Sequence, residues 1–384
     1  MKTIVYCVPS LDLPGGREKI MTMKENYLSA HGWKVFFVTT NQGGRPPFFG
    51  LSPNITVIDL NIQYRYGGGT GSFISDFFHN RRCYRLHRKK LEKILMQVKA
   101  DIAVSTFLHE LSFLYKIKDG SKKVVELHSN RYFRNQQARI EHLSVVKRMQ
   151  ACVVTFFDTI HVRHYDAFVV LTKKDASLWG KKKNLHVIGN PLTIPEIPAA
   201  NTHLQRIIAV GRLSAEKGFD TLIKCFASIP REDRKGWTLD IYGGGEFGDV
   251  LQGMINDLHL DNEIHIRKPT NNIAREYANS GIFCMTSQYE GFGLALCEAM
   301  YAGLPAVAFD CYCGPSDIIA DESMGVLVPM GREDLFVEKL QMLMASPVLR
   351  KTMGEKARRS VIERYSIESV MTKWMTLFQN LLQG

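Results

Sequence analysis

Thr3-Ile4-Val5-Tyr6-Cys7-Val8 is a β-branched, apolar run, and it is followed by the turn Pro14-Gly15-Gly16. An amphipathic stretch comes next, from Glu18 to Ala30, and then a second apolar run from Lys34 to Thr40. Strand, glycine-rich turn, helix and strand in that order make a βαβ unit, whose strands run parallel. Further short apolar runs at 56–60, 102–105, 123–127, 167–171 and 185–188 alternate with helical or polar segments. Alternating β and α units predict a mostly parallel sheet covered by helices on both faces.

The three prolines Pro191, Pro195 and Pro198 interrupt the pattern, and residues 190–205 read as an interdomain linker. A second α/β series starts beyond it: strands at 206–210, 238–242, near 264, 282–285, 306–309 and 325–328, and helices at 220–228 and 249–258. A last amphipathic helix carries Val370, Trp374, Leu377, Phe378 and Leu381 on one side. The 384 residues therefore divide into a first doubly wound domain (1–190), a second one (191–365) and a C-terminal helix (366–384). Open α/β sheets bind ligands at the carboxyl ends of their strands, which places the site in the cleft between the two domains.

Composition narrows the class. Apolar residues make up 45 % and charged residues 23 %, which excludes a disordered or collagen-like chain. Eight cysteines include no C-x-x-C pair, so neither a zinc ribbon nor a disulfide framework is indicated, and a reducing compartment is expected. The first apolar run is too short for a signal-peptide core and no run is long enough to span a bilayer, so the chain reads as cytosolic. Charge is lopsided: residues 1–190 carry 30 Lys and Arg against 14 Asp and Glu, whereas 191–384 carry 19 against 24. The first half is expected to face something anionic: a membrane, a phosphorylated substrate or nucleic acid.

The densest chemistry lies in Ser287-Gln288-Tyr289-Glu290-Gly291-Phe292-Gly293-Leu294-Ala295-Leu296-Cys297-Glu298, directly after a predicted strand. Two carboxylates stand eight residues apart, one in a loop and one in the second turn of a helix that begins near Gly293 or Leu294. The free N–H groups of Gly293 and Leu294 and the positive helix end suit a diphosphate. A carboxylate suits a vicinal diol, such as a ribose or hexose presents. Gly211-Arg212-Leu213-Ser214-Ala215-Glu216-Lys217-Gly218 follows the second domain's first strand and sets two cations on one loop, where a planar guanidinium and an ammonium can clamp a pyrophosphate.

These segments, with Ala302-Gly303-Leu304-Pro305-Ala306-Val307 and the Gly15-Gly16 turn, resemble the retaining GT4-type glycosyltransferases of the GT-B fold. The resemblance runs over nearly the whole chain and implies two Rossmann-like domains facing a central cleft, with the C-terminal helix returning to the first. It implies that Arg212 and Lys217 bind the donor diphosphate and that Glu298 holds the ribose. Glu290, with Gly291 and Phe292 beside it, would contact the transferred sugar, and His128 is similar in position to the family's cleft histidine. Gly15 and Gly16 would line the phosphates, and the loop from Lys268 to Asn272 would meet the base. Cys313-Gly314-Pro315-Ser316-Asp317 resembles a loop of the bacterial polysaccharide enzymes of this family. The implied reaction moves a sugar from a nucleotide-sugar, a UDP-sugar by expectation, to a glycan or polyprenyl-diphosphate-linked acceptor, retaining anomeric configuration. No cofactor or metal is expected, since D-x-D, the metal-binding signature of the GT-A enzymes, is absent from the chain.

Two features point elsewhere. Gly243-Gly244-Gly245-Glu246-Phe247-Gly248 fits the dinucleotide fingerprint G-x-G-x-x-G, the mark of an oxidoreductase. Between Arg81 and Lys99, eight Lys or Arg face the single acid Glu92, with Leu86, Leu91, Ile94, Leu95 and Val98 at helical spacing. That reads either as a basic helix on an anionic, inner-leaflet membrane surface or as a solvated helix face with its apolar side in the core. Tyr66 to Gly71 is expected to be a mobile loop. A same-fold nucleotide-sugar epimerase and, from another class, a basic nucleic-acid-binding protein are the rival readings; the first needs no acceptor, the second predicts no UDP affinity.

Overall fold

A computed structural model describes residues 1–65 and 73–384, with backbone alone over 73–77; the glycine-rich segment at 66–71 lies outside the described residues. The first sheet comprises β1 (Thr3–Val8), β2 (Lys34–Thr39), β3 (Thr56–Asp59), β4 (Ile102–Ser105), β5 (Lys122–Glu126), β6 (Ala167–Val170) and β7 (Leu185–Val187). The second comprises β8 (Arg206–Val210), β9 (Thr238–Tyr242), β10 (Ile264–Arg267), β11 (Ile282–Met285), β12 (Ala306–Phe309) and β13 (Val326–Val328). Their orders are β3-β2-β1-β4-β5-β6-β7 and β10-β9-β8-β11-β12-β13, with every pair parallel. Strand order reverses between β1 and β4 in the first sheet and between β8 and β11 in the second. Each domain therefore opens a crevice at that point.

The strands are apolar on both faces because both faces are covered. Along β1, Val5 and Cys7 enter one core cluster while Ile4, Tyr6 and Val8 enter another. Along β8, Ile207 and Ala209 face one cluster and Ile208 the other. That alternation is the period of two expected of a pleated strand.

The chain crosses between domains twice, and the crossings lie side by side. The proline-rich segment is anchored rather than free: Leu192 and Ile194 are buried in a cluster of the second domain, and the Leu192 N–H donates to the Tyr365 carbonyl at 2.8 Å. After Tyr365 the helix Ile367–Gln383 returns to the first domain, where Val370, Met371, Trp374, Leu377 and Phe378 pack with Tyr6, Met21 and Phe37. Burying a large apolar side chain contributes roughly 1.5–3 kcal/mol, so five of them hold this helix firmly.

The basic segment near residue 90 forms part of the helix Phe73–Val98. Leu91 and Leu95 are fully buried, while Arg81, Arg82, Arg85, Arg88, Lys89 and Lys93 are exposed. The apolar side around Leu91 and Leu95 belongs to the core, so packing leaves it no bilayer-inserting role, whereas Leu86 and Met96 are exposed beside the cations.

Candidate active site

The loops that leave β8 and β11 meet at the switch point of the second sheet, facing β1 and β5 of the first. Between them lies a cavity of about 720 Å³. Its lining includes Gly15, Gly16, His128, Arg212, Lys217, Glu290, Gly291, Phe292, Gly293, Leu294 and Glu298, so eleven of the twelve residues singled out from the sequence converge. Lys268 is the exception. It is exposed beyond the lining, which takes in its successors Pro269, Thr270 and Asn271 instead.

Lys217 and Glu290 form an ion pair, Nζ to Oε1, at 2.7 Å, and the Ser287 hydroxyl donates to the same carboxylate oxygen at 2.8 Å. Glu290 thus arrives oriented, with one oxygen held and the other directed to its surroundings. The helix Leu294–Tyr301 starts at Gly293, whose φ of 97° is left-handed and suits glycine. Its first N–H groups therefore open into the cavity, unsatisfied within the helix. Glu298 stands in the second turn, accepting from the Thr193 hydroxyl and, at 3.3 Å, from the Tyr277 hydroxyl. Burial pushes the Glu298 carboxyl above its ordinary pKa, against the opposing pull of Thr193, Lys19 and Tyr277. Arg212 lies exposed on the rim.

The opposite wall is braced from behind. His128 Nε2 stands 3.3 Å from Glu126 Oε1, and Glu126 accepts two bonds from Lys24 Nζ at 2.6 and 2.7 Å in a fully buried ion pair. Burial alone would raise the Glu126 carboxyl, but Lys24 and His128 outweigh it and hold its pKa at about 2. The Lys24 ammonium sits 3.9 Å from the Trp374 ring, a cation–π contact with the returning helix.

The domains touch closely beside the Glu290 loop. A Cβ on Gly291 would lie 2.6 Å from the His128 carbonyl oxygen, and Asn130 Nδ2 donates to the Glu290 carbonyl at 3.0 Å. Asp317 accepts from the N–H groups of Lys173 and Lys174, at the start of the helix Lys173–Trp179 in the first domain, at 2.7 and 3.2 Å. Gly314, φ 100°, lets the same turn press on the Phe292 carbonyl. The segment from Cys313 to Asp317 therefore buttresses the Glu290 loop and latches the domains.

The dinucleotide-like glycines do neither. A Cβ at Gly243 would lie 1.9 Å from the Gly211 carbonyl, and one at Gly245 would lie 2.3 Å from the Leu213 carbonyl. These glycines let the β9 loop pack on the loop that carries Arg212, and they stand outside the cavity lining. Sequence reasoning missed Thr193 and Lys19, which also line the cavity. Thr193 was hidden in what reads as a linker. Lys19 follows the Gly15-Gly16 turn by one helical turn, a spacing that points a side chain back toward that loop.

Residues 193–360 match the glycosyl transferases group 1 family. That stretch is a group 1 glycosyl transferase domain, and the two-sheet architecture around the cleft is the GT-B fold. An uncharacterized glycosyltransferase of Haemophilus influenzae is 28 % identical over 381 residues, covering 97 % of this chain and 99 % of its own. The amylovoran biosynthesis glycosyltransferase AmsD of Erwinia amylovora is 34 % identical over 216 residues, 54 % of this chain and 60 % of its own. Among solved structures, a mutant of S. aureus TarM in complex with fondaparinux, α-GlcNAc-glycerol and UDP superposes with a TM-score of 0.76 at 18 % identity, covering 98 % of this chain and all of that one, which establishes the shared fold.

Proposed function

We propose that this glycosyltransferase moves a sugar from a UDP-sugar to a glycan or lipid-linked glycan in bacterial cell-surface polysaccharide synthesis, retaining configuration and using no metal ion. One observation carries the reading: the Lys217–Glu290 pair, Glu298 and the helix start at Gly293 border a single cavity. A diphosphate at that helix start meets the Gly293 and Leu294 N–H groups, and Lys217 and Arg212 add two cations. The leaving UDP gathers negative charge in the transition state, which these fixed groups stabilise more than they stabilise the ground state. They supply the positive charge that a divalent cation supplies elsewhere. Glu298 accepts from the ribose hydroxyls, Glu290 holds the sugar, and Pro269 to Asn271 border the base.

In this reading His128 presents its ring to the donor sugar from the first domain, oriented by Glu126. Same-face attack by the acceptor hydroxyl then gives retention without a covalent intermediate. The complex of TarM with UDP supports the choice of nucleotide. The basic first domain places the acceptor side against anionic partners on the inner face of the membrane; no helix among the described residues is long and apolar enough to cross one.

A thermal-shift screen of UDP, GDP and ADP tests the donor reading. A ligand of the native state at a hundred times its Kd adds about 2.7 kcal/mol of stability, so UDP should raise the melting temperature while GDP and ADP do so less. A shift from none of them sinks the proposal. Donor consumption that proceeds without acceptor would favour epimerisation instead.

A further inference from the structure

The helix Val145–His161 in the first domain is built inside out. Only Ala151, Thr155 and Asp158 are buried, and two of those three are polar. Val145, Val146, Met149, Val153, Phe156 and Phe157 are 70, 65, 64, 53, 64 and 52 % exposed. At 100° per residue these six cluster on the side opposite the buried three. The helix is attached through a small methyl and polar bonds: Thr155 Oγ1 donates to Asn135 Oδ1 at 3.0 Å, and Asp158 is paired with Arg134. A soluble monomer rarely exposes so continuous an apolar strip without a use for it.

The charge around the strip selects the occupant. The one acid of this helix, Asp158, is buried and paired, while Lys147 and Arg148 are exposed on its flanks. The helix packs on the short turn His109–Ser112, and so does the helix Phe73–Val98, which presents exposed Arg81, Arg82, Arg85, Arg88, Lys89 and Lys93. The two helices are therefore neighbours, one with an exposed apolar strip and the other with exposed cations. A second copy docked through the same strip would bring no free acid of this helix to Lys147 and Arg148, since its one acid, Asp158, is buried and paired. A bilayer with anionic headgroups satisfies both faces at once: aromatic and aliphatic side chains enter the acyl boundary while the cations stay at the headgroups.

We propose that Val145–His161 is an interfacial helix that docks this enzyme on an anionic membrane. The helix rests on Phe133–Ile140, which in turn touches the turn Ala215–Lys217 at the cleft. The bilayer would thus lie beside the cleft mouth, where a lipid-linked acceptor, as the functional reading above requires, is presented without leaving the membrane.

Vesicle co-flotation of the full chain, with no nucleotide or acceptor present, tests this. The protein should float with vesicles holding about a third phosphatidylglycerol, bind pure phosphatidylcholine far less, and come off as salt rises. The double variant F156S/F157S should lose more than about tenfold in partitioning. K147E/R148E should weaken the preference for anionic lipid. UDP thermal shift on each variant reports whether the fold and donor site are intact, and its absence in the wild type would sink the donor reading while leaving the membrane test standing. Wild type that stays at the bottom of the gradient, F156S/F157S that floats like wild type, or a wild-type dimer that F156S/F157S turns into a monomer would each overturn the proposal.

Discussion

His128 Nε2 and Glu126 Oε1 stand 3.3 Å apart, and through that contact a cleft residue is tied to a buried charge. Glu126 and its partner Lys24 are each 1 % exposed. Removing one member of such a pair strands the other in a medium that solvates it poorly. Glu126→Gln should therefore destabilise the protein by about 3–5 kcal/mol. The sign of the pH dependence follows from the pKa of about 2, below the ordinary value near 4.5. The carboxylate's contribution is complete above the ordinary value and is lost as pH falls toward 2. Urea unfolding between pH 7 and 2.5 should show this loss in wild type and its absence in Glu126→Gln. Equal slopes for both proteins would refute the argument.

The ion pair of Lys217 and Glu290 joins two groups to which the proposed function gives different tasks, and mutation should separate them. Lys217→Ala removes a cation from the diphosphate and should weaken UDP binding by about tenfold or more, along with turnover. Glu290→Gln keeps the shape and the Ser287 partner but removes charge at the sugar. Turnover should fall by about 10²–10³ with UDP affinity changed much less. Calorimetric titration with UDP beside steady-state rates measures the two effects. A Glu290→Gln protein that fails to bind UDP would move this carboxylate from the sugar to the nucleotide.

Glu298 predicts a pH effect of opposite origin. Its pKa is raised by burial, so it takes up a proton at a higher pH than an exposed glutamate does. In the proposed function the carboxylate accepts from ribose hydroxyls, whereas the protonated form accepts less well. UDP affinity in wild type should decline as pH is lowered through that raised pKa. Glu298→Gln should bind more weakly at pH 8 and show no such decline. The comparison requires only UDP titrations at several pH values.

Both sheets were legible because their strands are short, apolar and evenly alternated with helices, and much of the cavity lining because Arg212 to Lys217 and Glu290 to Glu298 cluster within two loops. What stayed hidden depends on contacts distant in sequence. Thr193 donates to a carboxylate 105 residues away, and Gly243 packs on a carbonyl of a neighbouring loop, so neither local pattern announces its role. The same holds for the basic helix: periodicity reveals that Leu91 and Leu95 share a face, and only packing shows that this face is inside. Val145 to Phe157 presents the converse case, an apolar face that ordinary burial logic assigns to the core.

Gly291 offers the sharpest test of how tightly the domains must meet. A Cβ there would lie 2.6 Å from the His128 carbonyl oxygen and 2.9 Å from the Ser129 Cα, both backbone atoms that no rotamer change can move aside. Gly291→Ala must therefore push the two walls apart. A displacement of about 1 Å between reacting groups can cost on the order of 10²-fold in rate. The donor contacts proposed for the second domain are left in place, so UDP binding should persist while turnover collapses. Gly253, inside the helix Gly248–Asp257, is the control: nothing lies within 4 Å of its added Cβ, and alanine there should stabilise by up to about 1 kcal/mol with full activity. If Gly291→Ala turns over at the wild-type rate, the close approach of the Glu290 loop to His128 is not the reactive arrangement.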